Sequence, residues 1–452
     1  MTDVARKTAL LILNTLDKKQ QTLDSVLDAV LGKATRLTRK DRKLLYALVY
    51  GVLRWRGRLD WIIGHFSKTN LDQVDPVILN ILRLGLFQIA CLDRIPVSAA
   101  VNTSVEMAKS TAPLWIVRYV NGLLRNAARE YQHVPYPDIV KNPVSALAVE
   151  KSFPQWLIER WLNRFGLEET GRLCDAVNTI PPITVRTNTF KTTRTFLMES
   201  LQGVAQKIVP TDFSPDGVSF SNPKTAIPEM ESFQDGFFQV QDEAAQLVTI
   251  FFSPQPGETV LDACAGLGGK TGHIAQMMKN SGRIIALDND EQKLSQLMHE
   301  MDRLGILIAT TRVHDLNNPL IPKHSGMFDR ILLDAPCSGL GVLRRNPDAK
   351  WVIEKQNLAY YHERQTRFLD NLANLVKPSG VMVYAVCSTE PEENEAVIKC
   401  FLNKHKEFAI DNKPTGLTFK TRSLVDQNGY LKTSPHINNM DGFFAARLKR
   451  IK

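Results

Sequence analysis

Thr259-Val260-Leu261-Asp262-Ala263-Cys264-Ala265-Gly266-Leu267-Gly268-Gly269-Lys270 runs from an apolar stretch into a glycine-rich loop. Residues 259–263 read as a buried strand and 270–279 as the helix that follows. The glycines between them let backbone N–H groups approach a ligand with no Cβ in the way. Such a loop alone does not separate nucleotide, flavin and methyl-donor sites. A Walker-type phosphate loop is disfavoured, because four residues do not separate the first glycine from Gly269-Lys270.

Working outward, strand–helix alternation begins at Gln239 and continues to the C-terminal end. Strands are predicted at 283–287, 308–313, 328–333 and 381–386, and helices at 291–304, 356–376 and 393–405. This is a doubly wound, Rossmann-like α/β domain. Asp441-Gly442 before Phe443–Leu448 suggests a final hairpin strand. In such sheets the ligand crevice lies at the carboxyl ends of the strands, and there the chain places acids and thiols. Asp288 closes one strand, where a carboxylate can accept both hydroxyls of a ribose. Asp315 and Asp334 close two others, and a ring of carboxylates suits a cationic sulfonium ligand better than a phosphate. Taken singly, Asp288 or Asp315 also reads as a helix cap or turn residue.

Cys337 in Asp334-Ala335-Pro336-Cys337 and Cys387 in Tyr384-Ala385-Val386-Cys387-Ser388 each follow an apolar run. If those runs are neighbouring strands, two thiols and Asp334 meet at one mouth. A buried structural cysteine is the default for any single Cys, and it holds for Cys91, Cys174 and Cys400. At strand ends beside acids, Cys337 and Cys387 instead suggest covalent chemistry on an electrophilic ring.

No run of ~18 uncharged apolar residues indicates a membrane span, and the first residues lack a signal-peptide core. The six cysteines show no Cys-x-x-Cys pair, which disfavours a disulfide scaffold, a zinc site and a zinc cytosine deaminase. No metal is expected, and a cytoplasmic location fits. Charge is uneven: residues 1–130 hold 20 Lys plus Arg against 11 Asp plus Glu, while the remainder balances at 36 against 36. A polyanion-binding front and a neutral catalytic back follow, with a merely soluble basic helical domain as the alternative.

The front third reads as helical, with a cap and first turn at Asp75-Pro76 and an amphipathic stretch from Trp115 to Arg129. Arg39, Arg42, Arg54 and Arg58 interleave with Tyr46, Tyr50, Trp55 and Trp61. The arginines suit RNA phosphates, whereas Tyr46 and Trp61 fall at helical core spacing. A polar, proline-rich linker follows at 132–142. Short helices at 156–165 and 168–178, a strand at 183–188, a helix at 195–202 and strands near 206–209 and 218–221 make an α+β insert. The predicted domains are 1–140 helical and RNA-binding, 141–236 α+β connector, and 237–452 cofactor-binding.

These segments resemble the S-adenosylmethionine-dependent RNA cytosine-C5 methyltransferases, the RsmB/NOP family, and the resemblance runs from a NusB-like front to the last strand. It implies methylation of C5 of a cytosine in 16S ribosomal RNA (cytosine 967), before full small-subunit assembly, by a monomer with no membrane or metal partner. It assigns Cys264, Ala265, Gly266, Leu267, Gly268, Gly269, Lys270, Asp288, Asp315 and Asp334 to S-adenosylmethionine. Cys387 maps to the nucleophile of the RNA enzymes and Cys337 to the thiol that helps break the adduct; DNA enzymes use the Pro-Cys thiol instead. Asp334 is expected at the cytosine edge and Lys270 between donor and base. Arg344 and Arg345, in the Arg-Arg-x-Pro-Asp run, are expected on target phosphates. Two departures stand out: Gly266-Leu267 where the family usually has Ala-Pro, and Val386 where it usually has threonine. Methylation of another RNA, a catalytically silent RNA-binding factor and a DNA methyltransferase are the alternatives, the last disfavoured by the later Cys motif.

Overall fold

Helical spacing of apolar residues builds the front of the chain. The computed structural model describes residues 4–18, 21–32, 37–320, 327–411 and 417–451. They form two compact units, one of residues 1–179 with Arg345–Lys355, the other of 180–344 with 356–452.

In the first unit, helices at Val4–Leu16, Leu23–Leu31, Arg39–Phe66, Pro76–Cys91, Val97–Lys109 and Leu114–Glu130 bury one common core. Asp75 caps its helix by accepting the Val77 and Ile78 amides, with Pro76 in the first turn. In the long helix Arg39–Phe66, Thr38 and Asp41 form a capping box, and Leu45, Leu48, Val49, Val52, Leu53, Leu59, Ile62 and Ile63 face inward. Tyr46 and Trp61 correct the expectation of core aromatics. Each lies about 100° around the helix from a buried neighbour, and they are 40% and 38% exposed. Tyr50 and Trp55 pack against the core instead. Helices at Pro143–Glu150 and Gln155–Asn178 follow, the latter broken at Gly166, whose φ of 77° no helix accommodates.

The segment Arg345–Lys355 belongs to this same unit. The Lys350 ammonium is buried and donates to Asn178 Oδ1 at 2.7 Å and to the Arg54 and Ser152 carbonyls at 3.3 Å. It also lies 3.7 Å from the Phe153 ring centroid. Burial pushes it well below the usual lysine range. Trp351 Nε1 donates to the Leu53 carbonyl at 2.6 Å, and Asp348 accepts the Leu23 amide at 3.2 Å.

The second unit holds two sheets. Strands β1 (Ile183–Thr187), β2 (Gln206–Pro210), β3 (Gly217–Ser221) and β4 (Phe238–Val240) make an antiparallel sheet in the order β2-β3-β1-β4. Strands β5 (Thr259–Asp262), β6 (Arg283–Asp288), β7 (Ala309–Val313), β8 (Phe328–Asp334), β9 (Val376–Val386), β10 (Phe408–Ile410), β11 (Tyr430–Lys432) and β12 (Phe444–Arg450) make the larger one, ordered β10-β12-β9-β8-β5-β6-β7. Strands β5 to β9 pair in parallel. Residues 381–386 are buried on both faces, and each fully buried Val contributes ~1.5–3 kcal/mol. From β5 the chain winds outward through β6 and β7, then returns beside β5 as β8, so the switch point lies between β5 and β8.

The expected final strand is present, antiparallel to β9, β10 and β11. It forms a hairpin with β11 in which Lys432 pairs with Phe444, but Asp441-Gly442 is not a tight turn at its tip, because the connecting loop 433–443 is eleven residues long. Asp441 accepts from Arg344, and the Gly442 amide donates to the Gly341 carbonyl at 2.8 Å. A Cβ on Gly341 would come within 1.9 Å of the Gly442 carbonyl oxygen, so this close backbone approach requires glycine. Among the described residues, no helix is long and apolar enough to cross a membrane.

Candidate active site

The β5 loop turns into the helix Gly269–Met277 through two left-handed glycines, Gly266 (φ 54°) and Gly268 (φ 84°). A Cβ on Gly268 would press on Leu297 at 2.7 Å, so the loop is seated on the helix Glu291–Leu304. Asp288, at the end of β6, accepts the Gly266 amide through Oδ2 and the Asp290 amide through Oδ1, both at 3.0 Å. The carboxylate therefore holds the loop and keeps lone pairs for further donors. Asp315 follows β7, half-buried, and accepts the backbone and side-chain N–H of Asn317 at 2.9 Å.

Lys270, on the first turn after the loop, donates to Asp334 Oδ2 at 2.5 Å. Burial opposes its charge, but the Asp334 carboxylate outweighs it and holds the ammonium above the ordinary lysine range, with Cys387 acting in the same direction. Its ammonium also lies 5.3 Å from the Phe443 ring centroid. Asp262, fully buried beneath the loop, accepts Thr271 Oγ1 at 2.7 Å, and burial pushes its carboxyl up to about 7.

Strands β8 and β9 are direct neighbours, with Asp334 opposite Ala385. Their loops bring Cys337 Sγ to 3.3 Å from Cys387 Sγ. The contact with Cys387, then burial, pushes the Cys337 thiol well above its usual value. Burial, then the carboxylates of Asp334, Asp288 and Asp262, do the same to Cys264, which therefore stays a thiol.

Three stretches of the chain match family models: residues 3–129 the NusB family, 153–226 the RsmF/B-like ferredoxin-like domain, and 249–449 the 16S rRNA methyltransferase RsmB/F. The chain is 36% identical over 447 residues to the probable ribosomal RNA small subunit methyltransferase B of Bacillus subtilis, covering 98% of each. It is 36% identical over 450 residues to the corresponding protein of Synechocystis, covering 99% of each. Among solved structures it is similar to that of PH0851, with a TM-score of 0.81, 26% identity and 99% of each chain covered.

The chain belongs to the 16S rRNA methyltransferase RsmB/F family.

Members of this family use S-adenosylmethionine, and this chain runs in the order NusB-like front, ferredoxin-like connector and methyltransferase sheet. The residues at the switch point fit that cofactor: a glycine cradle, carboxylates rather than phosphate-binding cations, and spare acceptor sites on Asp288. Among the described residues, no cluster of three or more His, Cys, Asp or Glu is arranged to hold a metal ion.

Of the residues singled out from sequence, Cys264 to Lys270, Asp288, Asp334, Cys337 and Cys387 gather at one end of the sheet. Two arginines do not reach a surface that RNA could touch. Arg344 is 3% exposed, and its guanidinium bonds Asp441 at 2.6 Å, Asp242 at 3.4 Å and the Asn439 carbonyl at 3.2 Å. Arg54 is 5% exposed on the inward side of its helix. Both are corrected from phosphate contacts to interior residues. Arg39 and Arg42 are exposed, Arg58 is half-buried between Trp55 and Tyr136, and Arg345 is half-buried.

Two residues escaped the sequence reading. Arg186 of β1 is fully buried behind the loop and donates to the Gly269 carbonyl at 2.9 Å and to Gln239 at 2.7 Å. Burial lowers it to about 9. Glu393, 0% exposed, accepts from the residues that follow both cysteines. The run Pro391-Glu392-Glu393-Asn394-Glu395 matches the RNA family as a flank of Cys387, but nothing in it singles out Glu393 as the buried residue.

Proposed function

We propose that this chain methylates C5 of a cytosine in small-subunit ribosomal RNA, with Cys387 as the attacking thiol; by resemblance the target is cytosine 967. The observation that carries this is the pair of strand-end thiols 3.3 Å apart beside the Lys270–Asp334 pair. Cytosine C5 is a weak nucleophile until a thiolate adds to C6. That addition makes C5 enamine-like; C5 then takes the methyl, loses its proton, and the C6–S bond breaks to restore the aromatic ring and the thiolate. S-adenosylmethionine supplies the electrophilic methyl on a sulfonium.

The chain's own residues divide the remaining work. The Lys270 ammonium interacts electrostatically with Cys387, and Cys337 Sγ lies 3.3 Å from Cys387 Sγ. The family resemblance gives Cys387 the attack and Cys337 the release. Asp334 holds the cytosine N3/N4 edge, and Lys270 lies between base and donor. The loop 264–270 and Asp315 cradle the donor, and Asp288 takes the ribose hydroxyls. Arg39, Arg42 and Arg58 contact RNA phosphates, and Arg345 approaches the target strand. The substrate is RNA not yet fully assembled into the subunit, and the enzyme acts as a monomer with domains 1–140, 141–236 and 237–452.

Bisulfite mapping of ribosomal RNA from cells lacking the protein tests this. One small-subunit cytosine should lose its protection and regain it when the purified protein and donor are added. Unchanged protection at every small-subunit cytosine would overturn the proposal.

A further inference from the structure

We infer that Glu393 is a positioning residue that sets the spacing of the two thiols; its catalytic consequence rests on the proposed cytosine reaction. The parallel ladder of β8 and β9 ends at Asp334 and Ala385, with one more bond from the Ala335 amide to the Ala385 carbonyl at 2.8 Å. Both cysteines lie beyond it. There the backbone link between the two loops, among the described residues, is the Gly341 amide on the Cys387 carbonyl at 3.0 Å.

Beyond it, the Ser338 and Ser388 hydroxyls touch at 3.3 Å, and one carboxylate grips them both. Glu393 Oε2 accepts Ser338 Oγ and Ser388 Oγ, each at 2.5 Å. Oε1 accepts the Ser338 amide at 2.8 Å and Gln365 Nε2 at 3.1 Å. Ser338 and Ser388 directly follow Cys337 and Cys387, so one group grips the same position in each thiol loop. Gln365 also donates to the Pro336 carbonyl at 3.1 Å, and Tyr384 Oη donates to the Glu393 carbonyl at 2.6 Å. The clamp thus joins both loops, β9 and the helix Asn357–Ala373.

The Ser338 amide, the Ser338 and Ser388 hydroxyls and the Gln365 amide group that hold this buried carboxylate are all neutral donors. A buried ion held only by neutral donors is costly wherever a hydroxyl or amide would serve as well. Its arrangement is explained by placement: charge-assisted bonds are short and directional, and they fix two sulfur atoms that must serve one base in turn. A misplacement of ~1 Å costs about 100-fold in rate.

The test uses the full chain with Glu393→Ala, Glu393→Gln, Ser338→Ala and Ser388→Ala. Without RNA, diamide, a two-electron azo oxidant, takes two hydrogens from the thiol pair, forms one S–S bond and becomes a hydrazine. The rate is read by thiol titration and by the loss of two hydrogens in mass. Glu393→Ala should slow this at least 10-fold. It should lower kcat by roughly 10- to 100-fold while donor Kd and RNA KM stay within about 2-fold, with Glu393→Gln intermediate. Ser338→Ala removes one of the four bonds to Glu393, so it should slow both steps on its own by less than Glu393→Ala, and the double variant should fall short of the sum of the two effects. Wild-type trapping rate and kcat in a folded Glu393→Ala would overturn the inference. So would a parallel fall in donor affinity, which marks general loosening. If Glu393→Ala does not fold, the serine variants decide: unchanged trapping in both overturns it. Should the wild-type protein leave RNA unmethylated, the functional proposal fails while the trapping arm still decides the clamp.

Discussion

Replacing Asp288 by alanine should weaken S-adenosylmethionine binding by roughly 10- to 150-fold. The carboxylate already accepts the Gly266 and Asp290 amides at 3.0 Å, and two acceptor sites remain for ribose hydroxyls. Hydrogen bonds to a charged group contribute ~1.5–3 kcal/mol, and about 1.4 kcal/mol is a tenfold change in Kd. The substitution also strips the Gly266 amide of its acceptor. The site is half-open, so water replaces part of that loss, and the fold should lose only about 1 kcal/mol. Asp288→Asn keeps one acceptor oxygen and should fall between alanine and wild type. Calorimetric titration measures the affinity, and urea unfolding without donor measures the stability. Unchanged affinity in a folded Asp288→Ala protein would refute the assignment of the ribose to β6.

Three further outcomes follow from the structure. Asp262, raised to about 7 by burial, binds its proton more tightly folded than unfolded, so its contribution to stability is present at low pH and is lost as pH rises from about 4 to 7. Asp262→Asn should therefore gain roughly 2–3 kcal/mol on wild type between pH 5 and pH 7.5, at about 1.36 kcal/mol per pKa unit, and a pH-independent difference in urea unfolding would count against it. Arg344→Met removes the cation between Asp441 and Asp242 and should destabilise the fold by roughly 3–5 kcal/mol, where a phosphate-contacting surface arginine would leave the unfolding midpoint in place. Arg39→Gln and Arg42→Gln should keep the melting temperature and each reduce the slope of log K against log salt for RNA by about 0.7–0.9; an unchanged slope would remove both from the interface.

Much of the sheet was legible because the parts of β5, β8 and β9 next to the crevice, 260–261, 331–333 and 381–386, are buried and read as apolar runs. The chemistry was legible for the same reason: polar residues that end such runs, Asp288, Asp334, Cys337 and Cys387, lie where the crevice forms. What escaped is what depends on partners far along the chain. Arg344, Arg54 and Lys350 are residue types that sequence assigns to the surface, and each is buried by contacts local pattern cannot show. Arg344 finds Asp441 ninety-seven residues away and Lys350 finds Asn178 after a separation of 172. Tyr46 and Trp61 failed differently, since one residue of phase on a helix turns a side chain by about 100°. Val386, one of the two departures, is fully buried at the end of β9, opposite Phe444 of β12 in the apolar core.

The division of labour between Cys387 and Cys337 is the central claim, and one gel tests it. Cys337→Ala and Cys387→Ala proteins are incubated with target RNA and S-adenosylmethionine and run under denaturing conditions beside wild type of demonstrated activity. If Cys387 attacks C6 and Cys337 serves release, Cys337→Ala shows a shifted protein–RNA band that persists, and Cys387→Ala shows none and transfers no methyl. A persistent band with Cys387→Ala and none with Cys337→Ala would contradict the account and make the Pro-Cys thiol the nucleophile.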